Sequence, residues 1–198
     1  AQQYNTMTLR RFFAFPKSLA ALLFAGLLSL APVVVRADSL QDANLLMKQG
    51  QLVPALEKTD QLLATKPKDA QARFLKGLIL TEMNRHNEAI AIFTKLTEDY
   101  PELPEPYNNL AALYAQQRQF EKARNAIEMA IRTHPSYATA HENLGDIYAL
   151  MAAQAYDKAL QIDSSNAGAQ TKQALIRDLL KVSPRPAAAP KIAPAARQ

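Results

Sequence analysis

In the stretch YNNLAALY, residues 107 to 114, Leu110, Ala111 and Tyr114 form an apolar stripe at helical spacing, and two adjacent amides, Asn108 and Asn109, stand beside it. Thirty-four residues on, HENLGDIY repeats the arrangement, with Asn143, Leu144 and Tyr148 matching Asn109, Leu110 and Tyr114. The period extends in both directions. Pro67, Pro101 and Pro135 are spaced by 34, and Ala55, Ala89 and Ala123 stand twelve residues before each of them. On that register Gly77, Ala111 and Gly145 share a position, as do Leu80, Tyr114 and Tyr148. Phe93 matches Ile127, and Leu96 matches Ala130. A chain with this periodicity is built from stacked copies of one supersecondary unit.

Local signals predict that each unit is a helical hairpin. Gly50 and Asn84 fall where a turn between two helices is needed, and both residue types tolerate the left-handed backbone that ends many helices. Pro54 follows in the first turn of the next helix, where a missing N–H costs nothing. Each of the three phased prolines stops a second helix. The fourth unit departs from this plan. Tyr148 to Tyr156 is 8 residues, whereas the matching interval from Tyr114 to Ile127 is 13, so five residues are missing. Leu144, Ile147, Tyr148, Met151, Ala155, Ala159 and Ile162 keep a helical period through the gap, with no Gly, Pro or Asn to turn the chain. One continuous helix from about 138 to 162 is expected. After it, SSNAGAQTKQALIRDLLKV predicts a capping helix whose Leu175, Ile176, Leu179 and Leu180 cover the open apolar face.

The phased Gly or Ala, Tyr, Ala, Phe and Pro positions resemble the tetratricopeptide repeat, over about residues 36 to 164. The resemblance implies an all-α solenoid of antiparallel helix pairs, here with a fused terminal helix and a C-terminal capping helix. The sequence departs from the family pattern where its early tryptophan is replaced by Ser39, Arg73, Tyr107 and His141. It departs again in the first unit, where Thr59 stands in place of a larger apolar residue. The resulting organisation is residues 1–37 upstream, 38–135 as three hairpins, 136–182 as the shortened fourth unit with its cap, and 183–198 as a tail.

Charge changes the picture only at the ends. The chain has a formal charge of +5, but Arg10, Arg11, Lys17 and Arg36 lie in residues 1–37, where there is no acid, and Arg185, Lys191 and Arg197 lie in the last sixteen residues. Residues 38–182 carry 16 basic against 18 acidic side chains, which removes the basic footprint that nucleic-acid binding needs. After Met7, with six residues of upstream sequence before it, TLRRFFAFPK, an apolar run and a small-residue site at VRA read as a secretory signal cleaved after Ala37. LRRFF fits a twin-arginine signal in outline, but the leucine-rich run favours the general route. The expectation is an exported, periplasmic protein. The alternative is an inner-membrane anchor, since the 18-residue run is just long enough to span. The tail SPRPAAAPKIAPAARQ is read as an extended spacer.

No cysteine is present, so disulfides and thiolate chemistry are excluded. His86, His134 and His141 are the only histidines. His134 and His141 are separated by Pro135, no acid pair recurs at catalytic spacing, and His141 is read as a half-buried packing residue. No metal, no cofactor and no catalysis are expected. The resemblance implies instead that the first helices line a groove for an extended peptide or a partner helix. The groove candidates are Asn109, Asn143, Asn44, Asn108, Glu105, Gln116, Glu142, Asp146 and Glu82. An amide carries both donors and an acceptor and so can engage peptide main chain; equally, these amides can cap or bridge neighbouring units. Some members of the family clamp a C-terminal carboxylate with cations, but Glu105 and Asn109 stand where later cations of that clamp would be needed. Glu82, Glu105, Glu142 and Asp146 instead suggest a neutral or basic ligand segment. The expected role is a non-catalytic scaffold binding other proteins of the cell envelope, and not nucleic acid. Membrane contact arises only if the N-terminal segment is retained, and a membrane-anchored assembly subunit is the alternative.

Overall fold

A computed structural model describes residues 38–182; the signal, the anchor alternative and the tail lie outside the described residues. The described chain is helical throughout, in the order α1 (Asp38–Lys48), α2 (Leu52–Thr65), α3 (Ala70–Glu82), α4 (His86–Asp99), α5 (Pro104–Gln116), α6 (Phe120–Thr133), α7 (Ala138–Ile162) and α8 (Ala167–Val182). The pairs α1 with α2, α3 with α4 and α5 with α6 form three hairpins, and each second helix packs on the first helix of the next unit.

The tight turns inside the hairpins recur at the repeat period. Gly50, Asn84 and Arg118 have φ of 75°, 58° and 59°, spaced by 34 residues. The first two match expectation. The third places an arginine in the left-handed region, where the Gln119 N–H donating to the Tyr114 carbonyl at 2.8 Å closes the end of α5. The next links use simpler devices: the Asp69 side chain accepts from the Ala72 N–H at 3.0 Å to start α3, and Pro104 opens α5.

Packing follows the size pattern of the repeat. Phe93 from α4 is fully buried and tilts against Phe74 with ring centroids 5.5 Å apart. A Cβ added at Gly77 would lie 2.6 Å from the Phe93 ring, so glycine on α3 is what lets the two helices of this unit close on an aromatic. In the third unit Ala111, Ala123, Ile127 and Ala130 make a tighter core, shared with Ala140 and Ile147 of α7. The first unit closes despite its substitution, because the fully buried Thr59 hydroxyl donates to the Ala55 carbonyl at 2.7 Å and leaves no polar group unpaired.

The fourth unit is one unbroken 25-residue helix, α7, with the expected bounds. The cap, α8, packs on α7, but only one of its two apolar stripes is used. Ile176 and Leu180 are half-buried, whereas Leu175 and Leu179 are 65% and 52% exposed. That corrects the expectation of four covering residues: a helix with a single neighbour can bury only one stripe.

The inner face of the helical stack as candidate functional site

The odd-numbered helices approach one another across units, α1 with α3 and α5 with α7, and no pair of even-numbered helices comes comparably close among the described residues. A stack with one layer spaced more tightly than the other bends toward the tighter layer, so α1, α3, α5 and α7 line the inner face.

Placing the candidate residues on these helices separates them into three groups. Asn108 and Asn143 are buried, and the Asn143 Nδ2 donates to the Asn108 Oδ1 at 2.7 Å, joining α5 to α7. Asn109 is also buried, and its Nδ2 donates to the Glu105 carbonyl one turn back on its own helix at 2.8 Å. Asn109 and Asn143 therefore share a repeat position without sharing a role. The remaining candidates offer their side chains at or near the surface. Glu105 and Asp146 are half-buried on α5 and α7, Glu142 is exposed on α7, and Gln116 and Glu82 are exposed as the last residues of α5 and α3. Asn44 is half-buried on α1. The structure brings Glu105, Asn108, Asn109 and Asn143 together at the α5–α7 junction; Asn44, Glu82 and Gln116 belong to other parts of the stack.

Tyr137, directly before α7, completes that junction. Its hydroxyl is buried and meets no hydrogen-bond partner among the described residues. Its pKa is pushed up to about 12, first because burial disfavours the phenolate and then because the Glu105 carboxylate repels it. A second polar bridge ties neighbouring units at the opposite end, where the Gln117 Nε2 donates to the Asn87 Oδ1 at 3.0 Å. Aligning residues 34 apart finds equivalents but not neighbours, and so misses both bridges. The usable signal for the first was an offset of 35, which pairs one amide of a unit with the adjacent amide of the next.

His141 is exposed, not packed, with Nε2 at 2.9 Å from the Pro135 carbonyl. Among the described residues no group of three or more His, Asp or Glu is placed to hold a metal ion, and no helix is long and apolar enough to cross a membrane.

Solved structures share the fold. A thermophilic tetratricopeptide-repeat protein of Thermus thermophilus superimposes with a TM-score of 0.55 at 21% identity, over 72% of this chain and 81% of that one. The MamA crystal structure gives 0.52 at 20% identity, over 71% and 85%. The first such domain of human RPAP3 gives 0.55 at 15% identity, over 58% and 90%. Among curated proteins, the tetratricopeptide repeat domain-containing protein PYG7, chloroplastic, of Arabidopsis thaliana is 30% identical over 89 residues. The match covers 42% of this chain and 30% of the length of that protein. The family model described as "Psidin, N-terminal TPR repeats region" matches residues 45–163, more than half of the chain. By fold, by period and by that match, the chain belongs to the tetratricopeptide-repeat proteins.

Proposed function

We propose that this protein is a non-catalytic adaptor that binds an extended peptide or a partner helix of another protein along its inner face. The observation that carries the reading is the inner face itself, a layer of first helices left uncovered by the second layer. That layer holds the carboxylates Glu82, Glu105, Glu142 and Asp146, while Asn108, Asn109 and Asn143 are engaged within the fold. The buried amides fix the α5–α7 junction, and the carboxylates select a neutral or basic segment. Nucleic acid is a poor match for such a face, since phosphates need cations.

The setting we propose is the bacterial cell envelope, reached through the N-terminal signal, with retention of that segment as a membrane anchor the alternative. Mass measurement of the mature N-terminus separates the two, and a chain beginning at Asp38 counts against the anchor. The binding site is tested by pull-down from an envelope fraction with wild type and with Glu105→Gln, Glu142→Gln. A partner held by the inner face is lost or weakened about tenfold in the double variant, equivalent to about 1.4 kcal/mol, and its retention falls with salt. Unchanged capture by a folded double variant moves the site to the convex face and favours the assembly-subunit reading.

A further inference from the structure

On the inner face the carboxylates of α5 and α7 stand without cations beside them. α5 contains no lysine or arginine, and the first in α7 is Lys158. Glu105 and Glu142 enter no ion pair among the described residues, whereas Asp60, Asp99 and Glu128 of the second helices are each paired. The chain keeps its excess of cations elsewhere. Residues 38–166 hold 13 basic against 17 acidic side chains, and residues 167–198 hold 6 against 1. The last sixteen residues carry Arg185, Lys191 and Arg197 and no acid. These three are six residues apart. In the polyproline II form that a Pro- and Ala-rich segment favours, with three residues per turn, all three fall on one edge.

The path of α8 aims that edge at the carboxylates. α7 and α8 are joined by residues 163–166 and pack on one another as an antiparallel pair. The Gln173 Nε2 donates to the Asp157 Oδ1, and the Lys172 ammonium stands 5.9 Å from the Tyr156 ring centroid. Val182, nine residues after Gln173, is therefore about level with Tyr148, nine residues before Asp157. Asp146 precedes Asp157 by eleven residues, close to three turns, so it lies on the face of α7 that α8 follows, and Glu142 is one turn further along that side. From Tyr148 to Glu142 is about 9 Å at 1.5 Å per helical residue. From Val182 to Arg185 is also about 9 Å, at 3.1 Å per extended residue. Arg185 thus arrives level with Glu142. The six residues on to Lys191 add about 19 Å, more than the 8–10 Å between packed helices, which brings Glu105 on α5 within reach.

We propose that residues 183–198 lie along the inner face of their own chain, with Arg185 on Glu142 and Lys191 on Glu105, where a partner's segment must displace them. The inference rests on the inner-face reading of function and names the resident competitor at that site. Ion pairs this open to solvent contribute little each, which keeps the segment displaceable. A tethered segment has an effective concentration of about 1 mM, so with a Kd of about the same size it covers the face in about half of the chains.

The full-length chain, which has no cysteine, takes a nitroxide at Ala188→Cys, and the broadening of its amide signals in NMR reports where the segment lies. Selective broadening around Glu105 and Glu142 is expected, independent of protein concentration and lost at high salt. Arg185→Glu, Lys191→Glu and Arg197→Glu together should abolish it, and adding Glu105→Lys and Glu142→Lys should restore it. Arg185→Glu with Glu142→Lys repeats the swap at the exposed carboxylate alone, in case the half-buried Glu105 does not accept lysine. In pull-down from an envelope fraction, the chain with the reversed segment should capture about twice as much partner as wild type. No selective broadening, broadening that survives reversal of the segment, or no recovery in either swap overturns the proposal. Broadening seen only between mixed chains overturns it too, by giving the segment to a second copy. Failure of the inner-face reading looks different: the broadening and its reversal persist, while capture is equal for wild type, the reversed chain and the Glu105→Gln, Glu142→Gln chain.

Discussion

At the scale of single residues, the α5–α7 junction is held by groups whose partners lie in different units. Removing the Asn143 amide leaves the Asn108 Oδ1 buried and unpaired, which costs about 1–3 kcal/mol. Asn143→Ala should therefore lower stability by that amount in urea melts, and Asn108→Ala, Asn143→Ala together should recover part of the loss, since no orphan remains. Asn109→Ala should cost less, about 1 kcal/mol, because the Glu105 carbonyl it leaves is already within a helix. Tyr137 makes a prediction about pH. Its folded-state pKa of about 12 lies above the value of about 10 for an unfolded tyrosine. Between those values the folded state holds the proton that the unfolded chain has released, so stability falls as pH rises through that window and is whole below it. Tyr137→Phe should flatten the decline of urea midpoint from pH 10 to 12; an unchanged slope would assign the decline to other tyrosines. These amides were legible as repeat positions, but their roles were not, because a repeat register shows which residues are equivalent and leaves open which ones touch.

At the scale of elements, the hairpin turns show how far a local signal reaches. Gly50 and Asn84 could be read as left-handed because their residue types adopt that conformation at little cost. Arg118 could be assigned only from its place in the period. Its guanidinium lies 6.0 Å from the Phe120 ring centroid, a weak contact at an exposed site. Relief of the left-handed strain should outweigh that contact, so Arg118→Gly should stabilise the chain by about 1 kcal/mol, read as a rise in urea midpoint with unchanged slope. A loss of stability would mean that the stacking is worth more than the strain. The long helix α7 was legible because no turn residue interrupts its period. The cap α8 was only half legible. Its two apolar stripes, Leu175 with Leu179 and Ile176 with Leu180, look alike in sequence, and which one is covered depends on the side from which α7 approaches.

At the scale of the whole molecule, each unit rests on its neighbours, and the shortened fourth unit has no second helix of its own to close over its first. Gly77 and Gly145 share a repeat position on either side of that difference: a Cβ added at Gly77 would lie 2.6 Å from the Phe93 ring, and nothing lies within 4 Å of one added at Gly145. The same substitution should therefore act in opposite directions at the two sites. At Gly145 alanine adds helix propensity of up to about 1 kcal/mol, whereas at Gly77 overpacking costs about 1–3 kcal/mol. Gly145→Ala should raise the urea midpoint and Gly77→Ala lower it. Loss of stability at both positions would mean that the fourth unit closes on its glycine as the second does, and that the open notch is filled in solution.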